Sequence, residues 1–403
     1  MSDTPYSIGA VILKVASPCN LNCTYCYEYN RGDDSWKSKP KALALETTRV
    51  IGNRVLEYAT ARGLKEFQFN LHGGEPLLVG AKGIDALIAE LRALCAPLQV
   101  RFGMQTNGTL VTEEIAALLA FHGVRVGVSL DGDIRANRLR VDHQGRNSWE
   151  RAVAGIGMLK RAGCLSGIQA VIDLDSEPET VLDAISAFEP PEIELGQPFG
   201  CHDNPPAIDG TRYSLGEWLT RAFEHWRTSA ALAGSRITVL AEALRAVMTE
   251  RSTSEWFASL PPGYIVIATD GAYEGLDTLK VVGSAGRVLG VSVRTHSIEE
   301  VLEHPYIRMR ANGPQLPADC TGCSIAPWCS GGYYPSRYGR GRGFNNPTIY
   351  CSDMKVLFRH VATALAGHEG VGLEDRRRIN ERLSGLSIGG RPVALRAGGQ
   401  SDA

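Results

Sequence analysis

Two periods of apolar and polar positions alternate along residues 10–200, and they predict strands and helices in turn. Phe67 and Phe69 flank Gln68 with the period of two that is typical of a strand, whereas Val50 and Val55 belong to a segment with helical spacing. This pattern predicts strands at 11–15, 66–71, 99–105, 125–130, 167–172 and 192–195. It predicts helices between them at 46–61, 84–94, 113–121, 149–162 and 178–188.

Such alternation indicates an α/β fold in which parallel strands are covered by helices. The glycine-rich and polar turns fall at the carboxyl ends of the predicted strands, where α/β barrels carry their chemistry. Six β/α units are fewer than the eight of a closed barrel. We therefore predict a partial (β/α)6 TIM-type barrel with an opening that admits a large substrate.

The alternation stops near residue 200, which divides the chain into predicted domains. Residues 1–200 form the partial barrel, and 201–262 form a helical bridging segment that ends in a linker with Pro261 and Pro262. Residues 263–366 form a smaller second domain. Residues 367–403 are predicted to hold a C-terminal helix and a disordered tail from about 396.

The composition narrows the class of protein. With 403 residues, 44% hydrophobic and 21% charged, the chain is globular rather than disordered. A net charge of −2 gives no electrostatic case for a nucleic acid or an anionic membrane as partner. No signal peptide or membrane-spanning stretch is visible. Ten cysteines without a secretion signal favour metal binding in the reducing cytoplasm over disulfides.

Three of these cysteines stand close together after the first predicted strand. Cys19, Cys23 and Cys26 have the spacing C-x3-C-x2-C, and three thiolates on one short loop can bind three corners of one metal centre. In a [4Fe–4S] cluster, three ligands leave one iron open to a small molecule. The alternatives are a zinc knuckle, for which no fourth ligand lies near, and three unrelated core cysteines.

This loop and a second motif resemble the radical S-adenosylmethionine (SAM) enzymes. Aromatic Tyr25 precedes the last cysteine, and Gly73-Gly74-Glu75-Pro76 follows the second predicted strand. In that family the open iron of the cluster holds the amino and carboxyl groups of SAM. The resemblance implies that Tyr25 packs near the adenine and that Gly73, Gly74 and Glu75 meet the amino group. A simple tight turn is the alternative for the glycines.

Four later residues, in three segments, match further motifs of the same enzymes. The resemblance implies that Asn107 lines the cavity, that Ser129 and Asp131 bind the ribose, and that Arg140 pairs with the SAM carboxylate. Arg138 is an alternative to Arg140. Asn-Gly and Asp-Gly are also common turn dipeptides, and a solvated face is the alternative for the arginines.

A second group of cysteines resembles the SPASM extension that follows many radical SAM barrels. A full SPASM domain holds two auxiliary clusters, but here Tyr333 stands at one ligand position and residues 202–319 contain no cysteine. We infer one auxiliary [4Fe–4S] cluster without an open site, suited to electron transfer. A four-cysteine zinc ribbon is the alternative. The four ligands are Cys320, Cys323, Cys329 and Cys351.

Segments 270–277, 331–338 and 344–351 narrow the resemblance to peptide maturases that form three-residue cyclophanes. These enzymes join an aromatic side chain to the β-carbon of a residue two positions later in a ribosomally made precursor peptide. The resemblance implies an external electron donor of the flavodoxin or ferredoxin type. We expect Asp277 or Glu274 to accept the proton, although either carboxylate could simply be solvated or ion-paired. The arginines that could contact the peptide, unless their loop is solvated, are Arg337, Arg340 and Arg342.

Two other functions remain open from the sequence. The first is another radical SAM modification of a peptide or protein, namely β-carbon hydroxylation, epimerisation or formylglycine formation. Epimerisation usually needs a cysteine as hydrogen donor, for which Cys201 is the candidate. The second is a non-catalytic zinc-binding or scaffold protein.

Overall fold

The six predicted strands lie side by side in chain order in the computed structural model. The model describes residues 6–207, 210–257, 261–286, 288–311, 315–384, 387–388 and 391–392. Strands β1 to β6 all run parallel, and each pairs with the next. They are β1 (Ala10–Ala16), β2 (Glu66–Gly73), β3 (Gln99–Thr106), β4 (Arg125–Ser129), β5 (Leu165–Val171) and β6 (Glu192–Gly196).

The predicted helices connect these strands. They are α1 (Leu45–Arg62), α2 (Gly80–Leu94), α3 (Glu113–Phe121), α4 (Trp149–Arg161) and α5 (Pro178–Ser186). The strands alternate between a buried apolar face and a polar face. In β2, Phe67, Phe69 and Leu71 are buried, whereas Gln68 and Asn70 line a cavity inside the sheet. The α/β prediction is confirmed.

Four more strands extend this sheet on both sides. They are β7 (Arg236–Ile237), β8 (Tyr264–Ile267), β9 (Ala272–Glu274) and β10 (Val288–Ser292). The order is β10-β9-β8-β1-β2-β3-β4-β5-β6-β7, and β9 is antiparallel to both of its neighbours, β8 and β10. In the described chain β10 and β7 do not pair, so the sheet stays open as expected of a partial barrel.

The predicted boundary at residue 263 differs from the structure. Strand β8 pairs in parallel with β1, from Ala10 opposite Tyr264 to Leu13 opposite Ile267. The segment assigned to the second domain therefore begins inside the barrel sheet. Without β8, the backbone groups of β1 on this side would lack ladder partners.

Helices α6 to α12 follow strand β6 in the chain. They are α6 (Leu215–Thr228), α7 (Thr238–Thr249), α8 (Ile298–Leu302), α9 (Pro305–Ala311), α10 (Ala326–Cys329), α11 (Cys351–Ala366) and α12 (Leu373–Ser384). Helix α11 joins them to one core, since Phe358 packs against Phe257 and Trp328 with ring centroids 4.9 and 6.0 Å apart.

Two short strands follow helix α12 in the described chain. A short antiparallel pair joins β11 (Ser387–Ile388) and β12 (Arg391–Pro392). The tail predicted to be disordered, from about 396, lies outside the described residues. In the part of the chain that is described, no helix combines the length and the apolar character that crossing a membrane would require.

Candidate active site

The three-cysteine loop follows β1 directly and is held by backbone hydrogen bonds. The amides of Asn22 and Thr24 donate to the carbonyls of Val141 and Leu139 at 2.7 and 3.1 Å. Cys19, Cys23 and Cys26 all line one cavity of about 150 Å³, which we call the loop cavity. Burial raises the pKa of Cys26 to about 12, so its thiol stays protonated until a metal centre binds the sulfur.

The Gly73-Gly74 turn gives the loop cavity one of its walls by close backbone approach. A Cβ atom on Gly73 would lie 2.2 Å from the carbonyl oxygen of Ala16, and one on Gly74 would lie 1.7 Å from the hydroxyl of Tyr29. Gly73 also has a φ of 149°, which other residues rarely adopt. Only glycine fits at both positions, so these glycines are required by the close packing of the backbone and do not merely mark a loop.

Glu75 lies behind this wall rather than at its surface. The side chain is fully buried, and it does not line the loop cavity. Its carboxylate accepts hydrogen bonds from Thr106 Oγ1 at 2.6 Å, from the Asn107 amide at 2.8 Å and from the Leu77 amide at 3.0 Å. Glu75 therefore ties the end of β2 to the end of β3.

Tyr25, Asp131 and Arg140 form one hydrogen-bonded group beside the cysteines. Tyr25 donates to Asp131 Oδ2 at 2.5 Å, and Arg140 Nη1 donates to the Tyr25 hydroxyl at 2.7 Å. Tyr25 and Arg140 line the loop cavity. Within the described residues, Nε of Arg140 is buried without a hydrogen-bond partner. A carboxylate bound in the cavity would satisfy it.

The structure separates the two candidate arginines and places the remaining predicted residues. Arg138 is half-exposed and pairs with Asp173 and Asp175, so Arg140 is the arginine at the cavity. Asn107 and Ser129 also line the loop cavity.

A buried ion network beside the cavity was not predicted as a unit. Lys14 Nζ lies 2.9 Å from Glu28 Oε2 and 2.5 Å from Asp277 Oδ1, and Lys280 pairs with the other oxygen of Glu28. Tyr27 donates to Asp277 Oδ2 at 2.9 Å. The one sequence signal was Lys14 itself, a charged residue inside an apolar strand.

The network fixes the charge of its members. Burial alone would raise the pKa of Asp277, but Lys14, His72 and Lys280 hold that pKa well below its usual range. Burial alone would likewise lower the pKa of Lys14, but Asp277 and Glu28 raise it above its usual value. Asp277 is therefore an ionised carboxylate next to the loop cavity, which Tyr27 and His72 line.

Lys14→Met is expected to destabilise the fold by about 3–5 kcal/mol, because it leaves buried carboxylates without their shared cation. Urea unfolding followed by circular dichroism measures this change. Lys160→Met is the matched control, because Lys160 forms an exposed pair with Glu189 and its loss should cost under about 1 kcal/mol. Equal effects of the two substitutions would contradict a structural role for the network.

The two predicted proton acceptors lie in different surroundings. Glu274 pairs with Lys39 at 2.8 Å and lines a separate small cavity with Tyr264 and Ile265. Asp277, in contrast, contacts two residues of the loop cavity, Tyr27 and His72. The structure therefore brings only Asp277 to the candidate active site.

The second group of cysteines also comes together. Burial, and after it the thiols of Cys351 and Cys323, raises the pKa of Cys320 to about 11. Burial, and after it all three other thiols of the group, also raises the pKa of Cys329. Among the described residues, no three or more His, Cys, Asp or Glu side chains are arranged to hold a single metal ion.

The structure also shows the contacts of the three candidate arginines and of Cys201. Arg337 is buried and donates to the carbonyls of Phe344 and Gln315, while Arg340 and Arg342 are exposed near acidic residues. Cys201 is buried with its sulfur 3.6 Å from the Val281 carbonyl, and it does not line the loop cavity. The structure gives no support for Cys201 as a hydrogen donor.

The loop cavity adjoins a larger space inside the sheet. This barrel cavity has a volume of about 520 Å³, and it shares His72, Gln105 and Gln169 with the loop cavity. Such a volume is in the range of small-molecule and side-chain binding sites. A substrate in the barrel cavity would therefore lie next to the three cysteines.

Comparison with known proteins agrees with this geometry. Residues 14–185 match the family model of the Radical SAM superfamily. The serine-type anaerobic sulfatase-maturating enzyme of Klebsiella aerogenes is 24% identical over 333 residues, which is 80% of this chain and 78% of that enzyme.

Two solved structures share the fold. Native anSMEcpe with bound AdoMet superposes with a TM-score of 0.77 at 20% identity, over 93% of this chain and 99% of that one. SuiB of Streptococcus suis, bound to the precursor peptide SuiA, superposes with a TM-score of 0.56 at 16% identity, over 82% of this chain and 72% of that one. The family implies SAM and a [4Fe–4S] cluster as cofactors. Residues 14–185 thus form a radical SAM domain, and the protein is a radical SAM enzyme homologous to the anaerobic sulfatase-maturating enzymes.

Proposed function

We propose that this enzyme modifies a ribosomally made precursor peptide by joining an aromatic side chain to the β-carbon of a nearby residue. The observation that carries the proposal is the ionised Asp277 beside a loop cavity with an aromatic wall. Tyr27, which donates to Asp277, packs edge-on against Phe199 with ring centroids 5.0 Å apart, and both rings line the cavity. Such a wall suits an aromatic substrate ring.

The residues present fit the cofactors that this reaction needs. Cys19, Cys23 and Cys26 would hold the first cluster, and the unpartnered Nε of Arg140 would meet the carboxylate of SAM. When bound, cluster and SAM together supply a 5′-deoxyadenosyl radical that removes a hydrogen atom from the substrate. The four later cysteines would hold one auxiliary cluster, and an external flavodoxin or ferredoxin would supply electrons in the reducing cytoplasm.

The residues of the chain position the substrate and take up a proton. A cross-linked product has two hydrogens fewer than the substrate: one leaves as a hydrogen atom, and the other leaves as a proton together with one electron. Asp277 would accept the proton, and two contacts support this role: Lys14 holds its charge and Tyr27 holds its position. The auxiliary cluster is the proposed acceptor of the electron.

Formylglycine formation is the second candidate. It is favoured by the similarity to a sulfatase-maturating enzyme over 80% of the chain. Oxidation of a serine side chain to an aldehyde also removes two hydrogens, so it makes the same demands on Asp277. The two reactions differ in their product, and only one of them creates an aldehyde.

Mass spectrometry with an aldehyde trap separates these functions. The cluster-loaded enzyme is incubated without oxygen with reductant, SAM and any short, aromatic-rich peptide encoded next to its gene, and then with a hydrazide. We expect a loss of two hydrogens, no hydrazide adduct, and fragment ions that keep the aromatic residue joined to its neighbour. A hydrazide adduct would instead establish formylglycine formation. A gain of oxygen would indicate hydroxylation, and an unchanged mass with deuterium uptake would indicate epimerisation.

A further inference from the structure

A third cavity lies between the barrel and the segments that follow it. This side cavity has a volume of about 390 Å³. It shares Gln169 and Phe199 with the loop cavity, and Gln169, Glu194 and Thr238 with the barrel cavity. All three spaces therefore meet at Gln169, and a peptide in the side cavity would reach the three-cysteine loop.

Polar atoms without partners face the side cavity. Gln197 is 3% exposed, and within the described residues its Nε2 has no hydrogen-bond partner. The hydroxyl of Thr278 is buried and equally unpartnered in that part of the chain. Both residues line the cavity. Buried polar groups are nearly always hydrogen-bonded, so these atoms indicate a polar ligand.

Glu194 brings to the same cavity a carboxylate that lies near Arg236 but forms no ion pair with it. It accepts a hydrogen bond from the Thr238 hydroxyl, and no ion pair joins it to a cation among the described residues. Glu242, which lines the cavity as well, is already paired with Arg236 at 3.0 Å and with Arg245 at 3.5 Å. Glu255 lines the cavity too, and it accepts a hydrogen bond from the Tyr264 hydroxyl. Glu194 is therefore a carboxylate of this cavity that no ion pair in the described chain neutralises.

The ionisation of Glu194 fits this role. Burial raises its pKa to about 7, the carboxylates of Glu255 and Glu192 act in the same direction, and Thr238 and Arg236 act against them. A cation bound in the cavity would favour the charged carboxylate.

We propose that the side cavity binds the part of the substrate peptide next to the reacting residues, with Glu194 pairing a lysine or arginine side chain. Gln197 donates to a carbonyl of the same peptide. The inference rests on the proposed function, because it assumes a peptide substrate. It adds the substrate class, a peptide with a basic residue close to its aromatic one.

Two synthetic peptides that differ in one charge test this inference. They are the acetylated amides Ala-Phe-Ala-Lys-Ala and Ala-Phe-Ala-norleucine-Ala, and calorimetry measures their binding to the cluster-loaded enzyme with SAM but no reductant. We expect the lysine peptide to bind about tenfold more tightly, as for one charge-assisted hydrogen bond in a buried site. Glu194→Gln should abolish the difference, and Gln197→Leu should weaken both peptides alike.

Glu189→Gln is the control, because it removes an exposed carboxylate that pairs with Lys160 and lines none of the three cavities. It should keep the preference for lysine. Equal affinities in the unmodified enzyme, no binding of the lysine peptide, or a preference that survives Glu194→Gln would overturn the inference. A preference without any product from the encoded peptide would contradict the proposed function alone. Product without a preference would contradict this inference alone.

Discussion

Cys23→Ala is expected to abolish the formation of 5′-deoxyadenosine. Cys23 is one of three thiols that line the loop cavity, and the structure places no fourth cysteine among its lining residues to replace it. With two ligands left, the first cluster should not assemble, and iron should fall from about eight to about four atoms per chain. Liquid chromatography of the nucleoside and iron analysis of the reconstituted protein measure both effects.

Cys95→Ala and Cys164→Ala are the matched controls for this result. Both cysteines are buried in the apolar core and line none of the three cavities, so each should lose some stability but no iron. Cys329→Ala should also lose about four irons yet keep 5′-deoxyadenosine formation, since it belongs to the other group. If Cys23→Ala kept its iron and its nucleoside product, the assignment of the loop would be wrong.

The sequence predicts the fold where the chain has a clear inner and outer face. In β2 the apolar residues Phe67 and Phe69 face the core, and Gln68 and Asn70 face a polar cavity, so the period of two is visible. Strand β8 was missed because its run Tyr264–Ile267 is short, and its partner β1 lies more than 250 residues earlier. Pairing at that distance is set by the tertiary fold.

The site could be predicted where spacing or backbone shape carries the signal. The three cysteines and Gly73-Gly74 are local motifs, and the structure brings them to one cavity. Lys280 and Glu28 are 252 residues apart, and no local pattern indicates that they meet. For the same reason the sequence left Arg337 as either a peptide contact or part of a solvated loop, although it is buried and donates to a backbone carbonyl.

The two carboxylates proposed as bases show what the structure adds. Sequence places Glu274 and Asp277 three positions apart, with nothing to choose between them. The strand β9 ends at Glu274, and the turn that follows carries Asp277 to the loop cavity while Glu274 pairs with Lys39. The choice between the two therefore rests on packing.

Asp277→Asn is expected to reduce product formation by about 10²–10⁴-fold while 5′-deoxyadenosine is still formed. The amide has nearly the same shape and can still accept from Tyr27, but it cannot take up a proton. Radical formation depends on the three-cysteine loop, which this substitution leaves in place. The measurement is the ratio of modified peptide to 5′-deoxyadenosine, with deuterium from a labelled substrate ring followed into solvent.

Glu274→Gln tests whether this effect belongs to position 277. It also removes a buried negative charge from an ion pair, but away from the loop cavity, so the ratio of product to nucleoside should stay within about twofold.

The pH profile of product formation gives a second test of the role of Asp277. Burial opposes the charge of Asp277, but Lys14, His72 and Lys280 hold its pKa well below the usual range. The carboxylate therefore stays ionised down to acidic pH. Between pH 8 and pH 5 the unmodified enzyme should not lose product formation through protonation of Asp277, so its pH profile and that of Asp277→Asn should have the same shape. An equal loss of product in Asp277→Asn and Glu274→Gln would assign the effect to the loss of a buried charge rather than to proton transfer.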